Sequence, residues 1–387
     1  MAGGWGFGRP KTEVSVSKRV AIVAGGRTPF VKAGKAFKDL GPLKMATHAV
    51  TGLIEVHNVD AAMIEAIAFG AVVPEPGKPN IAREVVLEAG LPRSIEAQTV
   101  SSYCITGLRS ITAIAEGIAS GRIEVGIAGG VESLSHADPA TFQEPSTGLS
   151  MAEHMEITIK EWQAPRKQQD EIALASHRNA VSAREHLRSQ IFPLEGIEQD
   201  TGPRPDTSME ALSALKPVFD AEGAITAGNG SPVTDGAAAL LLMSEDRAAV
   251  EGRQPLAFIR AMEYGAIDPA EGLLMAPAIV VPKLLERSGL TLQQIDLIEI
   301  HEAFAAQVVT NVMAWEQGWK AAPTGTVDWG RVNVSGSSIA VGHPWSATGG
   351  RIVTTLAYEM ARRDARYGLV SICAAGAMAG ALILERS

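Results

Sequence analysis

The sequence predicts an α/β layered fold, and three observations carry that expectation. Short apolar runs of β type alternate with longer helical patterns, as buried strands covered by helices require. The order strand, reactive residue, helix, strand, small-residue turn occurs around Cys104 and again around His343 and Cys373, which reads as an internal duplication. Between these blocks lies 133–219, a polar stretch with clustered Pro and Gly such as Gly202-Pro203-Arg204-Pro205, and it reads as a loop-rich insertion in the first half.

Val20-Ala21-Ile22-Val23 is the first strand candidate, followed by a helical stretch at 44–57, a strand at Ala66-Ile67-Ala68-Phe69 and a helix at 80–89. Ala97-Gln98-Thr99-Val100 is a strand ending just before Cys104, and 108–119 is an Ala- and Ile-rich helix closed by Gly121. Val125-Gly126-Ile127-Ala128 is a buried strand, which Gly129-Gly130 is expected to end in a tight turn. Inside the insertion, 165–186 has an amphipathic helical pattern with a capping-type acidic start at 168–171. Residues 225–243 return to the Gly- and Ala-rich style of the core, and 296–300 is a strand. Arg331-Val332-Asn333-Val334 is strand-like, 350–362 is helical, and Leu369-Val370-Ser371-Ile372 is a strand that meets Cys373. The expected organisation is an N-terminal half at 1–132 completed by 220–256, the insertion at 133–219, and a C-terminal half at 257–387.

A chain of 387 residues has room for two ordinary domains or one large duplicated one. Its net charge of −9 argues against a general nucleic-acid binder, because phosphate backbones are met by clustered Lys and Arg. Two cysteines far apart make neither a disulfide framework nor a structural zinc site, and no metal is expected. Residues 1–18 have no apolar signal core, no run is long enough to span a bilayer, and Glu385-Arg386-Ser387 is not a peroxisomal tail. The expected location is the cytoplasm. The glycine-rich run at 3–8 has no strand before it, so it is not a dinucleotide fingerprint. His136, His154, His177 and His186 show no ligand spacing and read as surface or structural.

Four residues stand where chemistry is possible. Cys104 lies between a strand and a helix start, where backbone N–H groups and the helix dipole favour thiolate and can hold an oxyanion. His343, held in Gly342-His343-Pro344, suits a base for a thiol better than a packing role. His301 opens His301-Glu302-Ala303-Phe304 at the C-terminal end of a strand, the edge where α/β sites form. Cys373 ends a buried strand and enters Ala374-Ala375-Gly376-Ala377, small residues that let a backbone N–H approach a ligand.

With these in place, the chain resembles the thiolase family over nearly its full length. The matching segments are Gly26-Arg27-Thr28-Pro29-Phe30, the Cys104 block, Gly129-Gly130-Val131-Glu132-Ser133, Thr226-Ala227-Gly228-Asn229, Asp235-Gly236-Ala237-Ala238-Ala239, the His301 block, Gly342-His343-Pro344 and Cys373, all in family order. The resemblance implies duplicated halves in a five-layered α/β/α/β/α fold and ping-pong thiolysis of 3-ketoacyl-CoA to acetyl-CoA and a shortened acyl-CoA. It implies Cys104 as nucleophile, His343 as its base and Cys373 as the acid for the departing enolate. One oxyanion site would involve His301 and His343, the other the backbone N–H groups of Cys104 and Ala375. Coenzyme A would be a substrate with no permanently bound cofactor, met by Ser231, Lys216 and Met151 under the 133–219 loop domain.

Several positions depart from the common pattern. Many thiolases have Asn at the position of His301, and the His-Glu-Ala-Phe form looks like the β-subunits of fatty-acid-oxidation complexes. Ser101 stands in place of a frequent Asn ahead of the nucleophile, Ala375 and Ala377 in place of glycines, and Ser150 in place of a histidine of short-chain thiolases. The insertion is short after Ser135, where biosynthetic members carry a tetramerising loop, so a homodimer or a complex with a hydratase/dehydrogenase subunit is expected. The alternatives are a biosynthetic acetoacetyl-CoA thiolase, a ketoacyl-synthase-like condensing enzyme, which would not need Cys373, and a non-catalytic acyl-CoA-binding relative, which would have lost a reactive residue.

Overall fold

The computed structural model describes residues 17–386, so the glycine-rich run at 3–8 lies outside the described residues. The elements begin with β1 (Val20–Arg27), β2 (Val31–Lys32), α1 (Pro42–Val56), β3 (Ala66–Gly70), α2 (Ile81–Glu88), β4 (Glu96–Val100), α3 (Thr106–Ala119) and β5 (Val125–Ser133). The insertion contributes α4 (Met151–Trp162), α5 (Arg166–Ser182), α6 (Arg184–Arg188) and α7 (Met209–Ser213). Then follow β6 (Thr234–Ser244), α8 (Glu245–Val250), β7 (Ala257–Ala266), α9 (Pro277–Ser288), β8 (Leu297–Ile300) and α10 (Ala305–Gln317). The chain closes with α11 (Ser338–Val341), α12 (Trp345–Arg363), β9 (Tyr367–Ala374) and β10 (Met378–Glu385).

The strands run in the order β4-β3-β5-β6-β1-β7-β10-β9-β8, with β2 added on β6. From the β1–β7 junction the order outward is β1-β6-β5-β3-β4 on one side and β7-β10-β9-β8 on the other. Pairing sense repeats as well: β3–β5 and β8–β9 are parallel, while β5–β6 and β10–β9 are antiparallel. The duplication is therefore one of topology.

Alternation along the strands builds the layers. In β6, Ala237, Ala239, Leu241 and Met243 pack with α1 and α2 on one face. Leu240 and Leu242 point the other way, onto α3 and α12. That same central cluster takes Val370, Ile372, Leu382 and Leu384 from the second half, whose outer face carries α9 and α10. Helix, sheet, helix, sheet, helix is the result, the expected five layers. All of β6 is buried, and each of its three central leucines adds about 2 kcal/mol of hydrophobic stabilisation.

The central helices meet at bare backbone. A Cβ on Gly107 of α3 would stand 2.7 Å from the Ser346 carbonyl oxygen, and one on Gly349 of α12 would stand 2.6 Å from the Leu108 nitrogen. Only glycine allows this approach, and it brings the start of α3 against the start of α12.

Three expectations need correction. β5 does not turn at Gly129-Gly130 but continues to Ser133; those residues are small because a Cβ on either would lie 2.2 Å from a backbone oxygen, of Ala238 or Ser346. No strand forms at 331–334. Val332 makes one bridge to Ile298, the backbone turns at Asn333 (φ +47°), and the Asn333 amide then pairs with Ile300, accepting its N–H at 2.8 Å and donating to its carbonyl at 3.0 Å. A side chain thus completes the ladder. The insertion is more helical than expected, and α5 starts without a side-chain cap, Asp170 pairing instead with Arg166 at 2.9 Å.

Candidate active site

Cys104 sits in a single 3-10 turn, Tyr103–Ile105, between β4 and α3. Tyr103 has φ +49°, left-handed backbone that a non-glycine residue adopts only at some cost, and Thr106 Oγ1 braces the turn by accepting the Ser102 N–H at 2.7 Å. The half-buried thiol lies near its own N–H and that of Ala375, in the turn after β9, both of which favour its thiolate form.

His343 lies between α11 and α12, its N–H donated to Thr234 Oγ1 at 2.8 Å. Its Nε2 is 3.2 Å from Cys104 Sγ and its Nδ1 is 2.6 Å from Thr348 Oγ1. His301 follows β8, with its ring centroid 4.1 Å from that of His343 and its Nδ1 2.7 Å from Ser338 Oγ. The Nε2 of His301 is buried without a hydrogen-bond partner among the described residues. The reactive atoms of Cys104, His301 and His343 all lie within 4.8 Å of one another. Cys373, 1% exposed at the end of β9, faces the same cavity.

Burial dominates the protonation states. It pushes the Cys104 thiol up to about 12, against the pull of the Ala375 and Cys104 N–H groups. Burial, then the positive Arg351, lowers His343 to about 3. His301 is lowered by burial, His343 and Arg351, and Cys373 is raised by burial and by Cys104. The resting site is two thiols and two neutral imidazoles. A neutral His343 with Nδ1–H bonded to Thr348 leaves Nε2 free to take the thiol proton, the arrangement a sulfur nucleophile needs.

The site opens into a cavity of about 720 Å³. Apolar side chains line much of it, among them Met151, Leu212, Leu274 and Phe304, with Phe142 edge-on to Trp345 at 5.0 Å between ring centroids. Ser231 and Met151 are on the wall; Lys216 is not, being exposed between the lining residues Leu215 and Val218. Ser150 caps α4 by accepting the Glu153 N–H at 3.3 Å. His177, expected to be surface or structural, is buried on the cavity wall, where its Nδ1 accepts the Arg204 N–H at 3.3 Å.

Supporting residues escaped the sequence reading. Glu144, from the insertion, accepts the Gly376 N–H at 3.1 Å and so ties down the turn that carries the Ala375 N–H. Glu302 holds Ser176 Oγ at 2.7 Å and the Ile339 N–H at 3.0 Å, anchoring α11 beside His301. For Glu302 a signal existed, since it adjoins His301 in the motif; Glu144 offered none.

A thiol with its imidazole base, a second thiol and convergent N–H donors on a duplicated five-layered fold define a cysteine-dependent acyl-transfer enzyme. The thiolase N-terminal domain pattern matches residues 20–155 and 139–246, and the thiolase C-terminal domain pattern matches 253–386. The chain belongs to the thiolase family of acyltransferases. The 3-ketoacyl-CoA thiolase of Pseudoalteromonas atlantica is 37% identical over 422 aligned positions, covering 95% of this chain and 97% of that protein. The crystal structure of the Bacillus anthracis acetyl-CoA acetyltransferase is similar at a TM-score of 0.88 and 32% identity, over 96% of this chain and 99% of that one. Human mitochondrial 3-ketoacyl-CoA thiolase in complex with CoA is similar at a TM-score of 0.87 and 28% identity, over 96% and 99% of the two chains.

Proposed function

We propose that the protein is a 3-ketoacyl-CoA thiolase working through an acyl-Cys104 intermediate. The observation that carries this is the Cys104 sulfur 3.2 Å from His343 Nε2, with Ala375 and Cys373 on the same cavity wall. Cys104 sulfur attacks the 3-keto carbon while His343 Nε2 takes the thiol proton. The C2–C3 bond breaks, leaving the shortened acyl group on sulfur and acetyl-CoA as its enolate. The Cys373 thiol, kept protonated by burial, gives its proton to the enolate carbon. Its thiolate then deprotonates the incoming CoA thiol, CoA sulfur takes the acyl group, and Cys104 recovers its proton from His343.

The N–H groups of Cys104 and Ala375 suit the thioester oxyanion, and the His301–His343 pair suits the keto oxygen. Ser231 and Met151 are the contacts proposed for CoA, with Lys216 at the rim. Lys32 and Arg204 on the cavity wall supply positive charge for the coenzyme's phosphates in a chain of net charge −9. The units at 1–132 with 220–256, 133–219 and 257–387 serve as two catalytic halves and a cover for the coenzyme. The His-Glu-Ala-Phe motif favours fatty-acid β-oxidation. The proposed location is the cytoplasm; no helix among the described residues is long and apolar enough to cross a membrane. The edge of β4, unpaired among the described residues, supports association as a dimer or with a hydratase/dehydrogenase subunit, and a stable homotetramer by light scattering would contradict it.

Intact-mass measurement after incubation with 3-ketoacyl-CoAs of several lengths tests the reading. Wild type gains the mass of the shortened acyl group and Cys104→Ala does not. Thiolysis retained by Cys104→Ala overturns it.

A further inference from the structure

Ser338 and Arg351 lie beneath the site, fully buried and off the cavity wall. Among the described residues Ser338 Oγ has two polar partners, Arg351 Nη2 at 2.9 Å and His301 Nδ1 at 2.7 Å. All three residues are at most 1% exposed. A guanidinium has donors only, so Ser338 Oγ must accept from Arg351. Its own hydroxyl proton then has one destination, the lone pair of His301 Nδ1. The opposite arrangement, His301 Nδ1–H donating to Ser338, leaves a buried hydroxyl proton without an acceptor, a loss that disfavours it roughly tenfold or more.

We infer that Ser338 and Arg351 are positioning residues that fix His301 as the Nε2–H tautomer, making it a permanent hydrogen-bond donor towards the reacting carbonyl. The unpartnered Nε2 of His301 is then a donor awaiting a substrate oxygen. The two stacked imidazoles are set in opposite senses: His343 is braced by Thr348 and offers a lone pair to the Cys104 thiol, whereas His301 offers a proton. An amide donor at this position would need no such relay; an imidazole does, because either of its nitrogens can carry the proton.

This inference rests on the thiolase reading for its substrate oxygen, and the test separates the two. In protein labelled with ¹⁵N-histidine, the resonances lost in His301→Gln identify His301 and are expected to report the Nε2–H tautomer. Ser338→Ala is expected to add or favour the Nδ1–H form. The same variant should lose about ten- to a hundredfold in kcat with KM within about threefold, as expected for a misdirected oxyanion donor. Ser338→Thr, which restores a hydroxyl, should recover kcat. An active thiolase with the Nδ1–H tautomer in the wild type overturns the inference alone, and a wild type with Nε2–H but no thiolysis overturns the thiolase reading alone. Ser338→Ala with unchanged tautomer, or Ser338→Thr as slow as Ser338→Ala while keeping the wild-type tautomer, also overturns the inference.

Discussion

The rate at which iodoacetamide alkylates Cys104 is expected to rise with pH from 7 to 10 without a plateau. Burial pushes the thiol from an ordinary 9.0 up to about 12, and His343 is lowered to about 3, so the pair rests as thiol and neutral imidazole. At pH 8 a thiol titrating near 12 is ionised in about one molecule in ten thousand, against about one in ten for a thiol titrating near 9. Because thiolate is the nucleophile, the rate follows that fraction, close to tenfold per pH unit. A thiolate–imidazolium pair would instead be fully reactive from mildly acid pH. Stopped samples quantified by peptide mass at Cys104, in wild type and in His343→Asn, make the measurement. His343→Asn is expected to keep the slope while acylation by substrate falls about 10²- to 10⁴-fold for want of its base. A plateau below pH 8 that disappears in His343→Asn would refute the neutral-pair argument.

Glu144→Gln replaces a charged acceptor of the Gly376 N–H by a neutral one, a loss of about 1–2 kcal/mol, and kcat for acyl transfer is expected to drop about tenfold as the Ala375 N–H loosens; an unchanged kcat and thermal midpoint would refute the tie. Gly107→Ala puts a Cβ 2.7 Å from the Ser346 oxygen, where backbone must yield, so about 1–3 kcal/mol of stability and about a hundredfold in acylation should be lost, measurable by urea unfolding and pre-steady-state kinetics. The folded protein holds His343 near 3 whereas the unfolded chain protonates it near 6.5, so its share of stability is intact above 6.5 and lost as pH falls towards 3. The slope is up to about 1.4 kcal/mol per pH unit, and His343→Asn should flatten the dependence of the urea midpoint on pH by that amount.

The candidate site residues were legible because each sits at or beside the end of a strand or the start of a helix, among small residues and Pro, on the edge where α/β sites form. The layered fold was legible from the same alternation. Gly129-Gly130 was misread because one letter serves two physical needs, left-handed backbone in a turn and bare backbone in close packing, and only the position of Ser346 distinguishes them. Arg331-Val332-Asn333-Val334 has the composition of a strand, and nothing local reveals that the Asn333 amide supplants the next backbone pair. Glu144 meets Gly376 across 232 residues of chain, and Ser338, 13 residues before Arg351, meets His301 from 37 residues away, pairings that no local periodicity displays. Lys216 shows the converse, a matching position that the cavity wall omits.

The bare crossing of α3 and α12 also sets a clock. Cys104 and His343 are separated by 239 residues of chain, and their bond exists only once the two halves have docked backbone to backbone. Each half can collect its own strands and outer helices from nearer contacts, while this closure waits for a large loop to be drawn together. During refolding, secondary structure is therefore expected to return before acyl transfer does, and the returning activity times the docking of one half on the other.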